Sequence, residues 1–171
     1  MGVPREHIPV KLIVGFITPR PDRIIKPIKI LERKFGKADR ESPFFDFSCT
    51  AYYKGELGEN LKKKFFSFKN LIPLKDSHKI KLLTNKIEGE RRLVNIDPGY
   101  ISLAKLVLFT TKNRSHRIYL DKGIYADLEL VFEKKTFCPL EWTYPDYRTK
   151  EYIDFFNSVR ATYRKELKHG D

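Results

Sequence analysis

Cysteine is scarce in this chain: Cys49 and Cys138 are the only two. They lie far apart in apolar company, so they read as buried free thiols rather than a disulfide framework. Neither the cysteines nor His7, His78, His116 and His169 show metal-ligand spacing, which argues against a structural zinc site. Long apolar runs are missing as well. No stretch approaches the roughly 18 uncharged apolar residues of a membrane span. Met1 to Val10, interrupted by Pro4, Arg5, Glu6 and Pro9, offers no apolar core for a cleavable leader. The expected location is the cytoplasm, with no membrane association. Familiar chemical signatures are also absent. There is no G-x-x-x-x-G-K-[ST] loop and no G-x-G-x-x-G, and neither a G-x-S-x-G elbow nor a cysteine-nucleophile context occurs. Asn85-Lys86-Ile87-Glu88 approximates N-K-x-D, but it carries Glu for Asp, falls in an expected helix and has no P-loop partner.

Against these gaps stand a surplus of positive charge and a full complement of core residues. The 171 residues carry 34 Lys+Arg against 22 Asp+Glu, a formal net charge of +12. Such a balance creates a positive mean potential that attracts phosphate-bearing partners, although a lysine-rich surface kept soluble by charge accounts for it equally. Lysine outnumbers arginine, and the basic runs Lys62-Lys63-Lys64, Arg91-Arg92 and Lys134-Lys135 are short, unlike a nucleic-acid arm. With 41% hydrophobic and 13% aromatic residues, the chain can bury a core, and disorder is excluded. Residues 1–171 read as one domain without repeats, linkers or low-complexity segments.

Hydrophobic periodicity supplies the elements. Lys11 to Thr18 reads as a buried strand. Asp22 is a plausible N-cap for a helix carrying Ile24, Ile25, Ile28, Leu31 and Phe35, in which Pro27 fits only near the first turn and Gly36 supplies the stop. Phe44 to Tyr53 alternates as a strand, with Asp46, Thr50 and Tyr52 sharing one face. Lys64 to Ile72 is its expected partner. Asp76 or Ser77 can cap a second helix with Ile80, Leu83 and Ile87, ended by Gly89. Arg92 to Ile96 forms the next strand, and Asp97-Pro98-Gly99-Tyr100 matches a type II turn. Lys105 to Lys112, His116 to Leu120 and Ile124 to Glu133 read as a meander joined by tight turns. In the last of these, Ala126, Leu128, Leu130 and Phe132 form the expected core face. A closing helix from Lys150 presents Tyr152, Phe156, Val159, Tyr163 and Leu167 as one stripe. The expected class is α+β, a ferredoxin-like βαββαβ core extended by antiparallel strands and a C-terminal helix.

Polarity inside strands marks the candidate site. Asn95 and Asp97 precede the Pro-Gly pair; Lys105, Lys112, His116, Arg117 and Tyr119 follow it; Tyr125, Asp127 and Glu129 share a strand face. A solvated antiparallel sheet explains part of this, but the recurrence of Tyr, Asp, Asn, His and Arg suits a ligand cleft with aromatic walls and convergent polar groups. Asp97 either closes its own turn or accepts a bond from a ligand hydroxyl. His116 and Arg117, beside Lys112 and Arg114, form either an anion cradle or an exposed basic hairpin. Asp127 and Glu129 could hold a divalent cation through oxygen ligands, or Asp127 could pair across strands with Lys105 or Arg117. The loop Trp142-Thr143-Tyr144-Pro145-Asp146-Tyr147-Arg148 either plugs the open end of the core or lids the cleft.

Several of these runs together carry a family resemblance: Asn95-Ile96-Asp97-Pro98-Gly99-Tyr100, Lys105-Leu106-Val107-Leu108, His116-Arg117-Ile118-Tyr119-Leu120, Gly123-Ile124-Tyr125-Ala126 and Trp142 to Arg148. With Thr50-Ala51-Tyr52-Tyr53 and Lys81-Leu82-Leu83-Thr84-Asn85, this ordered set resembles domain of unknown function 4416 essentially end to end. Members of that family often carry the label GTP-binding protein, which the resemblance extends to this chain as an expectation.

The residues favour a cleft for a phosphorylated small molecule or a nucleotide. Lys105, Lys112, His116 and Arg117 would meet phosphates, and Asp97, Asp127 and Glu129 would hold a hydroxyl or Mg²⁺. Tyr100, Tyr125 and Tyr144 would wall a base or ring, with Asp46, Thr50, Tyr52, Asn95, Tyr119 and Arg148 completing the ligand-binding set. Were the cleft catalytic, His116 is the natural acid/base near neutral pH. Two alternatives stand beside this reading. One is an RNA-binding module stacking bases on Tyr52, Tyr119 and Tyr125; the other is a ligand-free interaction protein that oligomerises through the Trp142 to Tyr147 loop.

Overall fold

Lys11–Thr18 (β1) is buried along its whole length, which requires protein on both of its faces. The computed structural model, which describes residues 2–48 and 57–168, supplies both layers. Nine strands form one antiparallel sheet, and helices cover the two faces. After β1 a 3-10 turn at Pro21–Ile24 leads into α1 (Ile25–Phe35), with Pro27 in its first turn and Gly36 at its end in the positive-φ conformation that glycine tolerates. Two short pieces follow, β2 (Ala38–Glu41) and β3 (Phe45–Asp46), both paired with β4 (Lys62–Phe68). Next come α2 (His78–Glu88), β5 (Asn95–Ile101), β6 (Lys105–Thr110), β7 (Arg117–Asp121), β8 (Ile124–Glu133), β9 (Thr136–Pro139) and α3 (Lys150–Lys168).

The strand order is β2-β4-β1-β5-β6-β8-β7, with β9 also paired to β8. Each early crossover skips one strand, so β1 lies between β4 and β5 in a split βαβ arrangement. The α+β class read from the sequence is the one observed. Alternation along β1 divides the interior in two. Leu12, Val14 and Phe16 join Leu31 and Phe35 of α1 and Ile80 of α2. Ile13 on the opposite face packs with Phe65, Leu106, Leu130 and the α3 stripe of Tyr152, Phe156 and Val159. The end of α3 is fixed by fully buried Lys11, whose ammonium binds Asp39 of β2 and Glu166 of α3. No helix among the described residues is long and apolar enough to cross a membrane.

Three expectations are corrected. Asp97-Pro98-Gly99-Tyr100 is not a turn but the middle of β5. The strand expected over Phe44 to Tyr53 is reduced, within the described residues, to β3; Thr50 and Tyr52 lie outside them. Ala126 and Leu128 do not share a face with Leu130 and Phe132. The first two pack on the α1/α2 side and the second two against α3. The cause is a β-bulge: Val107 pairs with Leu128 but Leu106 pairs with Leu130, leaving Glu129 as the extra residue.

Candidate functional site

The sheet forks between β5 and β6. β5 keeps its register with β1 as far as Asn95, and β6 keeps its register with β8 as far as Thr110. Between them, β5 and β6 pair only at Gly99–Leu108, Tyr100–Val107 and Ile101–Leu106. Beyond Gly99 the edge of β5 is satisfied by side chains of α2. Glu88 Oε1 accepts from Ile96 N at 2.6 Å, and Lys81 Nζ donates to Ile96 O at 2.9 Å. Backbone polar groups alternate edges along a strand, so the Pro98 nitrogen sits on the same open edge as Ile96 and leaves no N–H without a partner there. Gly99 is needed for another reason. A Cβ at this residue would lie 2.3 Å from Val107 O, so only glycine lets β6 approach at the base of the fork.

A cavity of about 100 Å³ occupies the fork. Among the described residues, four cationic and three anionic side chains line it: Lys63, Lys81, Arg92 and Lys112 with Asp97, Asp127 and Asp146. Asn95, Thr110, Thr111, Phe47 and Tyr144 contribute to its walls. The deeper charges are matched one to one. Lys63 Nζ binds Asp146 Oδ2 at 2.6 Å, Lys81 Nζ lies 3.7 Å from Asp97 Oδ1, and Arg117 Nε donates to Asp127 Oδ2 at 2.8 Å. Asn95 links Arg92 to Asp97, accepting at 2.6 Å from the first and donating at 2.7 Å to the second. Lys63 is further enclosed by the rings of Phe47, Phe65, Tyr147 and Tyr152, the Tyr147 centroid being 4.4 Å from its ammonium. Arg92 reaches back to Glu88 Oε2 at 3.1 Å, and burial raises the Glu88 carboxyl above its ordinary pKa.

The loop after β9 closes one side, and the bulge in β8 fastens it. Trp142 Nε1 donates to Leu128 O at 2.7 Å, and Tyr144 N donates to Glu129 Oε1 at 2.6 Å. Thr143 Oγ1 donates to Glu129 O. Arg117 joins the same loop through Tyr144 Oη at 2.7 Å and also binds Lys112 O at 2.9 Å. Glu129 is fully buried, and its Oε2 has no hydrogen-bond partner among the described residues. Burial, reinforced by the charges of Asp127 and Asp146 and opposed by the Tyr144 amide, pushes its pKa from 4.5 up to about 8. The loop both plugs and lids: Tyr147 is buried against α3, while Tyr144 and Asp146 face the cavity.

Of the residues proposed from sequence, Asn95, Asp97, Lys112, Asp127 and Tyr144 meet in the cavity lining. Arg117 stands behind Asp127, paired directly across the strands. Its guanidinium is committed to Asp127, Lys112 O and Tyr144, so it organises the wall rather than cradling an anion. His116 places Nε2 3.3 Å from Asp127 Oδ1 and stacks on Trp142 at 5.0 Å, outside the lining. The rest are elsewhere. Asp46 is exposed and pairs with Lys62. Tyr100 belongs to the core on the α1/α2 side, and burial raises its pKa. Lys105 is exposed at the opposite end of β6. Tyr119 and Tyr125 meet edge to face on β7 and β8, and Arg148 donates to Thr143 O, Leu140 O and Glu141 O. Of the two carboxylates proposed as cation ligands, Glu129 turns Oε1 to the Tyr144 amide and Asp127 binds Arg117. Among the described residues no group of three or more His, Cys, Asp or Glu is placed to hold a metal ion.

Sequence reasoning passed over Lys63, Lys81, Arg92 and Asp146. Lys63 was legible in principle, since alternation along β4 puts it on the face of Phe65, opposite Lys64 and Phe66. Lys81 and Arg92 carried no such signal, because a lysine on an amphipathic helix and an arginine before a strand are ordinary surface residues.

The architecture defines an α+β domain with a helix layer on each face of an antiparallel sheet and a charged cavity where that sheet divides. The family model described as Domain of unknown function (DUF4416) matches residues 8–163, and the chain belongs to that family. No curated protein matches the chain, and no solved structure does.

Proposed function

We propose that the domain binds a small phosphorylated metabolite in the fork between β5 and β6. The observation that carries this reading is the convergence there of charged side chains from β4, α2, β5, β8 and the loop after β9, with one more cation than carboxylates among the described residues of the lining. A polar group is buried only at a cost, and a core could have been built without seven charges around a hollow. The net charge of +12 adds a long-range attraction for an anion. The phosphate belongs at the rim, where Lys112 and Thr111 are exposed and Arg92 is half-buried. Size separates the two forms of the ligand expected from sequence. A site of about 100 Å³ falls well below the roughly 300–1,000 Å³ of pockets that engulf drug-sized ligands, so a metabolite fits it better than a nucleotide.

Of the residues named for the RNA reading, Tyr119 and Tyr125 meet edge to face on β7 and β8 outside the cavity lining, and Tyr52 lies outside the described residues. In the interaction reading the Trp142 to Tyr147 loop is anchored to β8 and the core, with Trp142 and Tyr144 left exposed.

Isothermal titration of the full chain with inorganic phosphate and a panel of short phosphate esters tests the proposal. Binding in the micromolar to millimolar range, weakened about tenfold by Lys112→Ala, is expected from the loss of one charge-assisted contact. No heat with any ester at millimolar concentration would sink it.

A further inference from the structure

The floor of the cavity differs from its rim in a way that constrains the rest of the ligand. Asn95, Lys63, Asp127 and Asp146 are buried, whereas Lys112 and Thr111 are exposed. In the interior each carboxylate already has a cation: Asp146 has Lys63, Asp97 has Lys81 and Asp127 has Arg117. A second anionic group placed there would face three carboxylates. A ligand ammonium would gain little from carboxylates already neutralised, and it would bring an extra buried charge with no partner of its own. What the floor can take is a neutral group that donates to carboxylate oxygens and accepts from ammonium, guanidinium and amide N–H groups. A hydroxyl does both, and neighbouring hydroxyls on a short carbon chain could bridge adjacent carboxylate–cation pairs.

The volume sets the length. A water-sized group needs roughly 10–15 Å³ of such space, so about 100 Å³ accommodates on the order of seven to ten non-hydrogen atoms. Phe47 and Tyr144 supply apolar wall beside the charged groups, which suits the C–H faces of a carbohydrate chain.

We infer that the ligand is a short polyhydroxylated phosphate, of the triose or tetrose class, with its hydroxyls among the Asp97, Asp127 and Asp146 ion pairs and its phosphate at the Lys112 rim. This rests on the phosphate-site reading above and adds to it the chemistry of the non-phosphate end.

Affinities of the full chain for inorganic phosphate, propyl phosphate, glycerol phosphate and phosphoethanolamine, measured by titration calorimetry, separate the two claims. Glycerol phosphate should bind about tenfold or more tightly than propyl phosphate, because each hydroxyl bonded to a charged group contributes on the order of one power of ten. Asp97→Asn should reduce that preference, while Lys112→Ala should weaken all the esters alike. Equal binding of propyl and glycerol phosphates would overturn the polyol inference and leave the phosphate site standing. Tightest binding of phosphoethanolamine would overturn it in favour of an ammonium-bearing ligand. Binding of none of the four would overturn both readings.

Discussion

Replacing Glu129 with glutamine should stabilise the protein by an amount that grows with pH. The side chain is fully buried at the β8 bulge, Oε1 accepts from Tyr144 N, and Oε2 has no partner among the described residues. Its pKa is raised from 4.5 to about 8, chiefly by burial. A raised carboxyl pKa means that the folded state holds a proton which the unfolded chain releases first. The stability linked to it is therefore complete below pH 4.5, declines as pH rises through the interval, and levels off above about 8. Across that interval the loss amounts to about 5 kcal/mol, of which about 3 kcal/mol has occurred by pH 7. Glutamine keeps the acceptor for the Tyr144 amide, occupies the same volume and does not ionise. Urea unfolding of both proteins from pH 5 to pH 8.5 provides the measurement. Near pH 5 the two should be similar, and by pH 8 the variant should be more stable by roughly 3–5 kcal/mol. Glu88 is raised by burial as well, but it is common to both proteins and cancels in the difference. Parallel stability curves for the two proteins would refute the reasoning, because Glu129 would then titrate alike in the folded and unfolded states.

Other substitutions test the fork and its ion pairs. Gly99→Ala should destabilise by about 2–3 kcal/mol through overpacking, since the new methyl meets Val107 O at the fork's base; thermal unfolding would register it, and an unchanged midpoint would contradict the close approach. Lys63→Met leaves Asp146 buried without its cation and should cost about 3–5 kcal/mol in chemical denaturation. Adding Asp146→Leu should recover most of that loss, whereas an additive double variant would argue against a coupled pair. Arg117→Lys retains the charge but cannot reproduce bonds to Asp127, Lys112 O and Tyr144 together. A loss of about 2 kcal/mol with faster amide exchange across Thr143 and Tyr144 is expected.

The helices and the long buried strands were legible because their signals are local. The apolar run of β1, the stripe of α3 and the stops at Gly36 and Gly89 each follow from spacing within one segment. β2 was not legible. Its sequence, Ala-Asp-Arg-Glu, is polar and mostly exposed, and it pairs at the sheet edge, where strands carry charge. The Glu129 bulge escaped notice because alternation over Ala126, Leu128, Leu130 and Phe132 is unbroken in sequence. Only the pairing with β6 reveals that the chain changes face between Leu128 and Leu130.

The misreading of Pro98 and Gly99 shows how the site itself was half-visible. Pro-Gly is strong turn chemistry, and nothing within Asn95 to Tyr100 distinguishes a turn from a strand that has lost its neighbour. The two readings diverge only through distant residues. Glu88 and Lys81 occupy the β5 edge that β6 has left, and Val107 crowds the place where a Gly99 side chain would stand. Both breakers therefore record the same event, the parting of β5 from β6, one by having no N–H to lose and the other by having no Cβ to clash. Asn95 and Asp97 looked functional because polar residues were flanking an apparent turn. They line the cavity because the strand carrying them forms one wall of the fork. Proline followed by glycine inside an otherwise regular strand, with a buried Lys and Glu seven residues apart on the preceding helix, is the pattern by which such a fork would be recognised from sequence.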